Sequence, residues 1–186
     1  MVVDEPQSRI ASLLVLGGAR SGKSHFAQVQ AEDSGLDLVF VATAKAYDGE
    51  MEERVARHAA ARDARWRLVE APVDLAGALM AQATVGRIVL VDCMTLWLSN
   101  VMLRDDDVDA AAAGIIAAVS ALRGPAIFVS NEVGSGIVPD NALGRRFRDA
   151  QGRLNQGLAQ ACDAVVLVTA GLPIRLKPAP VPAFRF

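Results

Sequence analysis

The sequence predicts an α/β domain with a mainly parallel central sheet flanked by helices, and two observations predict it. Apolar runs rich in Val, Ile and Leu recur at Leu13–Leu16, Leu38–Val41, Arg67–Val69, Ile88–Val91, Ala126–Val129 and Ala164–Val168. They do not alternate with polar residues, which suits strands covered on both faces. Helical patterns joined by short links lie between them, the order that βαβ crossovers produce. No linker or internal repeat divides the 186 residues, which read as one domain.

The first run leads directly into Gly17-Gly18-Ala19-Arg20-Ser21-Gly22-Lys23-Ser24, which matches G-x-x-x-x-G-K-[ST] at every fixed position. A helical stretch through Phe26, Val29 and Gln30 follows, completing the strand, loop and helix of a P-loop. The chemistry explains the spacing. Gly17 and Gly22 lack Cβ atoms, so the loop can turn successive N–H groups onto phosphate oxygens at the positive end of a helix. Lys23 is placed to contact the β and γ phosphates, and Ser24 to offer a hydroxyl to Mg²⁺.

The second run ends at Ala42. After it, Glu50–Arg62 reads as a helix on which Arg54, His58 and Arg62 share one face. Flanking guanidiniums disfavour imidazolium and leave a neutral ring nitrogen able to attack phosphorus. On spacing alone the more economical reading is a solvated helix laced by Glu50/Arg54 and Glu53/Arg57 pairs, with His58 on its surface. His25, beside the loop, reads as packed or solvated.

The third run precedes Glu70. The fourth closes as Ile88-Val89-Leu90-Val91-Asp92, an apolar strand ending in a carboxylate, as the Walker B acid does. Asp92 or Thr95 capping the next helix is the alternative. The fifth run continues into Ser130-Asn131-Glu132-Val133-Gly134, and no Asn-Lys-x-Asp guanine motif occurs in the chain, which disfavours a switch GTPase. Asn131 and Glu132 fall at the strand edge where open α/β sheets bind ligands, as candidate substrate or metal contacts. In Ala142–Cys162, Leu143, Phe147, Ala150, Leu154 and Leu158 form one apolar stripe, with Arg145, Arg146, Arg148 and Arg153 off it. After the sixth run, Pro173, Pro178, Pro180 and Pro182 forbid a helix, so Leu172–Phe186 is expected as an extended arm or frayed tail, flexible over 178–186.

Composition narrows the function. Residues are 52% hydrophobic and 22% charged, with 19 basic against 21 acidic for a net charge of −2, so the excess of Lys and Arg that phosphate neutralisation of nucleic acid needs is missing. Met1–Ser12 holds Asp4, Glu5, Pro6 and Arg9 but no signal-like apolar segment. Ala110–Leu122 is shorter than the roughly 20 residues of a membrane helix. A cytoplasmic protein without a membrane span is expected. Cys93 and Cys162 read as reduced core thiols.

Taken together these blocks resemble the bifunctional adenosylcobinamide kinase / adenosylcobinamide-phosphate guanylyltransferase family of cobalamin biosynthesis. The resemblance spans Leu13–Lys177. It rests on the phosphate loop, Ala42-Thr43-Ala44, Arg54–Arg62 with Trp66-Arg67, Val91–Asn100, Ser130–Pro139 with Arg145–Asp149, and Ala170–Lys177. It implies a RecA-like P-loop NTPase fold and two reactions. ATP or GTP phosphorylates adenosylcobinamide, then GMP passes from GTP to adenosylcobinamide phosphate through a GMP-histidine, giving adenosyl-GDP-cobinamide and pyrophosphate. It makes His58 the nucleophile. It also implies guanine-nucleotide contacts from Gly17–Ser24, Ala42, Thr43, Ala44, Ala59, Ala60, Ala61, Arg62, Glu70 and Asp92, Mg²⁺ held by Ser24 and Asp92, and a homo-oligomer, a trimer by the family's pattern. Glu70 has the alternative of a salt bridge. Departures from the family pattern are an acidic Arg104–Asp107 loop and the Pro-rich end. The competing readings are a P-loop kinase of another small metabolite without guanylyl transfer and a nucleotide-gated regulatory protein.

Overall fold

Each apolar run folds as a strand, extended by at most two residues at either end, in a computed structural model that describes residues 10–44 and 63–179. The strands are β1 (Ser12–Gly17), β2 (Asp37–Ala42), β3 (Trp66–Glu70), β4 (Arg87–Asp92), β5 (Ala126–Asn131), β6 (Ala164–Thr169) and β7 (Leu172–Lys177). They form one sheet in the order β3-β2-β4-β5-β1-β6-β7, parallel except for β7, which runs antiparallel to β6. The described helices are α1 (Lys23–Glu32), α2 (Leu75–Gln82), α3 (Met94–Leu103), α4 (Val108–Ser120) and α5 (Ala142–Ala161).

Strand residues alternate between two cores, as a period of two requires. Val89, Val91 and Phe128 face α2–α5, where Leu79, Trp97, Ile115, Leu154 and Leu158 are buried. Leu90, Ile127 and Val129 face α1 through Ala27 and Ala31. The helices that follow β1 and β5 therefore lie on opposite faces although the two strands are neighbours. This divergence opens a crevice at their C-terminal ends, the topological switch point where open α/β sheets take ligands.

Three expectations need refinement. The edge strand β3 is not covered on both faces among the described residues, with Leu68 56% exposed. On α5 the stripe is buried from Ala150 onward, while Leu143 is exposed and the polar Gln151 and Asn155 join the buried set. Leu172–Lys177 is a paired strand and not a tail. Pro173 is tolerated because β7 lies at the sheet edge, and a two-residue turn with positive φ at Ala170 and Gly171 sets up the hairpin. Residues 180–186 lie outside the described residues. Both thiols are free and buried, as expected.

The sheet's lower end is tied by Asp163, whose Oδ2 accepts from the Ala11 and Ser12 N–H groups and from Ser12 Oγ at 2.9–3.0 Å. Among the described residues no helix is long and apolar enough to cross a membrane.

Candidate active site at the C-terminal edge of the sheet

β1 ends at Gly17, and the chain then wraps through Gly18–Gly22 into α1, so the loop sits at the helix's positive end. Sterics fix two of its glycines. A Cβ on Gly17 would collide with Ser21 Oγ and stand 2.5 Å from the Val168 carbonyl oxygen, and Gly22 has φ of 95°. Arg20 also holds positive φ, at 57°. The β6–β7 turn braces the loop from the side: the Gly171 N–H donates to the Ser21 carbonyl at 2.9 Å. Lys23 is 7% exposed and donates from Nζ to the Gly18 carbonyl at 3.0 Å, which folds the ammonium back over the loop. Ser21 Oγ is buried without a hydrogen-bond partner among the described residues.

Register brings the other candidates to the same edge. Ala42 is level with Glu70 on one side and with Asp92 on the other. Asp92 alternates onto the face of α1, the face that Leu90 and Val129 share with Ala27. The buried Cys93 thiol reports this environment. Burial, with a further contribution from the Asp92 carboxylate, pushes it up to about 11, against the opposing pull of Lys23. One thiol thus feels the phosphate-loop cation and the strand-end carboxylate together.

Neither Asp92 nor Thr95 holds the N-cap position of the next helix. Cys93 is the N-cap of α3 and makes no side-chain cap, while Thr95 Oγ1 accepts from the Asn131 N–H at 2.9 Å. Glu70 is exposed, and no ion pair holds it among the described residues. Thr43 is fully buried. Its Oγ1 donates to the Cys93 carbonyl at 2.7 Å and accepts from the Cys93 N–H at 2.9 Å, so it holds the chain that carries Asp92. Asn100 Nδ2 in turn donates to the Thr43 carbonyl at 2.7 Å and to Pro72 O at 2.9 Å. His58, Ala59, Ala60, Ala61 and Arg62, with the helix expected over Glu50–Arg62, lie outside the described residues.

Periodicity did not single out the buried polar cluster of Ser130, Gln151 and Asn155 behind the end of β5. Its signal in the sequence is a Gln and an Asn four residues apart, beside Leu154 and Leu158.

The chemistry assembled here is a phosphate cradle with a buried cation and a carboxylate at one sheet edge. Ser24 in the first turn of α1 and Asp92 at the end of β4 are both oxygen donors, the donor type that a hard divalent cation requires, so the set fits Mg²⁺ arriving with a nucleotide.

Comparison with known proteins agrees with this architecture. The crystal structure of the RadB recombinase superposes with a TM-score of 0.51 over 84% of this chain and 73% of that one, at 17% identity, which shows the shared fold. The bifunctional adenosylcobalamin biosynthesis protein CobP of Pseudomonas aeruginosa is 47% identical over 170 residues, 90% of this chain and 98% of the relative. The bifunctional adenosylcobalamin biosynthesis protein CobU of Escherichia coli is 36% identical over 180 residues, 89% of this chain and 99% of the relative. The family described as cobinamide kinase / cobinamide phosphate guanyltransferase matches residues 13–176. The chain belongs to the cobinamide kinase / cobinamide phosphate guanyltransferase family.

Proposed function

We propose that this enzyme phosphorylates the aminopropanol hydroxyl of adenosylcobinamide with ATP or GTP and then transfers GMP from GTP to adenosylcobinamide phosphate. The second transfer passes through a GMP-histidine at His58 and yields adenosyl-GDP-cobinamide and pyrophosphate. The observation that carries the reading is the complete phosphate cradle Gly17–Ser24, with Lys23 buried over it, in a chain 47% identical to a bifunctional adenosylcobalamin biosynthesis protein.

The chain's residues divide the work. N–H groups of Gly18–Gly22 and the Lys23 ammonium hold the phosphates, and Ser24 and Asp92 hold Mg²⁺, which supplies neutralisation of phosphate charge when bound. Ala42, Thr43, Ala44, Ala59, Ala60, Ala61, Arg62 and Glu70 line the guanine nucleotide, Thr43 acting through the chain it supports, and Glu70 as an acceptor for guanine or ribose. A neutral His58 ring nitrogen attacks the α phosphorus and pyrophosphate departs. The corrinoid phosphate then displaces the histidine at the same phosphorus, so two displacements retain configuration. The protein acts in the cytoplasm as a homo-oligomer, a trimer, which light scattering on the eluting protein measures directly.

GTP labelled at the α phosphorus, incubated with enzyme and Mg²⁺ and followed by denaturation, tests the covalent step. Acid-labile, base-stable label on wild type, lost in folded His58→Ala, is the expected result. An active, GTP-binding wild type that takes no label overturns the histidine mechanism and leaves a metabolite kinase.

A further inference from the structure

Asn131 ends β5, the strand between β1, which carries the phosphate loop, and β4, which ends in Asp92. It is level with Gly17, and Asp92 pairs with Val129, two residues or roughly 6.6 Å below it along β5. Ser130 meets α5, so alternation projects Asn131 to the opposite face, where α1 carries Lys23 and where Asp92 also points. This is the switch-point crevice.

The main chain of Asn131 is fixed on both sides. Its N–H donates to Thr95 Oγ1 at 2.9 Å and its carbonyl accepts from Asn155 Nδ2 at 3.0 Å, while the next N–H, of Glu132, donates to the Gly17 carbonyl at 3.1 Å. The support is itself buried. Ser130 Oγ donates to Asn155 Oδ1 at 2.6 Å, and Gln151 Nε2 donates to Ser130 Oγ at 3.0 Å and to Asn155 Oδ1 at 2.9 Å. Ser130 and Gln151 are 0% exposed and Asn155 is 5% exposed. Three polar side chains sit in an otherwise apolar helix–sheet contact, where a clean core would be less demanding. What they fix is the position of one residue, whose own carboxamide has no hydrogen-bond partner among the described residues.

We infer that the Asn131 carboxamide donates a hydrogen bond to the phosphoryl group transferred in the kinase step, with Asn155 as its positioning residue. The assignment rests on the proposed two-step function. In that step the acceptor hydroxyl oxygen bonds to the γ phosphorus as the bond from that phosphorus to the β–γ bridging oxygen breaks. The electron pair leaves with the nucleoside diphosphate, and the hydroxyl proton passes to water. Charge redistributes over the transferring and leaving oxygens, and a fixed neutral N–H placed there stabilises it without any change of protonation. In guanylyl transfer the bond broken is at the α phosphorus, and the γ phosphoryl group leaves intact within pyrophosphate, so Asn131 matters little to that step.

The two steps are measured apart on the same proteins: γ-labelled ATP with adenosylcobinamide as acceptor, and α-labelled GTP for label on the protein. Asn131→Ala should lower kcat for phosphorylation roughly 100-fold, with the nucleotide KM and the protein labelling each within roughly threefold of wild type. Asn155→Ala should move the same way by a smaller factor, and urea unfolding at the assay temperature confirms that both variants are folded. A folded Asn131→Ala that phosphorylates at the wild-type rate, or that loses both reactions together, overturns the assignment. A wild type that takes up neither label instead refutes the functional reading, and the assignment falls with it.

Discussion

Thr43 is 0% exposed, and its hydroxyl makes both of its hydrogen bonds to the main chain of a single residue, Cys93. Removing that hydroxyl leaves the buried Cys93 N–H without its partner and the Cys93 carbonyl with only the Trp97 N–H, at 3.2 Å, beside Asp92. Thr43→Val should therefore lower stability by about 1–3 kcal/mol, the cost of one orphaned buried donor. Thr43→Ser keeps the hydroxyl and should recover most of the loss, within about 1 kcal/mol of wild type for the missing methyl. Urea midpoints of the three proteins decide this. A valine variant as stable as wild type would show that the hydroxyl does not hold the turn. The places of Lys23 at the start of α1 and Asp92 at the end of β4 were readable one residue at a time because they follow from local motif and strand end. Thr43 was not, because the partner that occupies it is 50 residues away.

At the scale of elements, β7 caps α5. Lys177 Nζ donates to the carbonyls of Ala159, Gln160 and Cys162 at 3.1, 2.9 and 2.6 Å, so one ammonium uses its three N–H groups on the carbonyls at the end of a 20-residue helix. The charge also lies at the negative end of the helix dipole. Lys177→Met should cost about 2 kcal/mol in urea unfolding, from charge-assisted hydrogen bonds lost at a partly buried site. A loss below about 0.5 kcal/mol, within the range of ordinary surface substitutions, would show that water replaces the cap at no penalty. Five of the six parallel strands were legible because burial on both faces writes itself as uninterrupted apolar residues, while the edge strand β3, not covered on both faces among the described residues, was read from the short run Arg67–Val69 alone. Strand β7 was not, because an exposed edge strand containing Pro173 reads as a tail until its partner β6 is known. Gln151 and Asn155 escaped for a related reason: periodicity registers apolar residues, and a polar side chain on the buried stripe makes sense only once Ser130 is placed opposite it.

Across the whole molecule, the two buried thiols couple folding to alkaline pH. Burial pushes Cys162 up to about 12, with Asp163 adding to the shift and Lys177 and Ser12 opposing it, and Cys93 up to about 11, both from an ordinary value of 9.0. Below pH 9 each thiol is protonated in the folded and unfolded chain alike, and their full contribution to stability is present. Above it the unfolded chain releases protons that the folded chain keeps, so the unfolded state binds fewer protons and stability falls as pH rises. The loss runs from about pH 9 to 11 for Cys93 and from about pH 9 to 12 for Cys162. The limiting slope is about 1.4 kcal/mol per pH unit for each thiol, so the pair should remove about 2–3 kcal/mol between pH 7.5 and 10. Other groups titrate over the same range, but they do so equally in a Cys93→Ala/Cys162→Ala variant. Although that variant starts less stable at pH 7.5 from its two small cavities, its stability should decline between pH 7.5 and 10 by about 2–3 kcal/mol less than that of wild type. Parallel stability–pH curves for the two proteins would show instead that the fold opens enough to ionise its core thiols at their ordinary value.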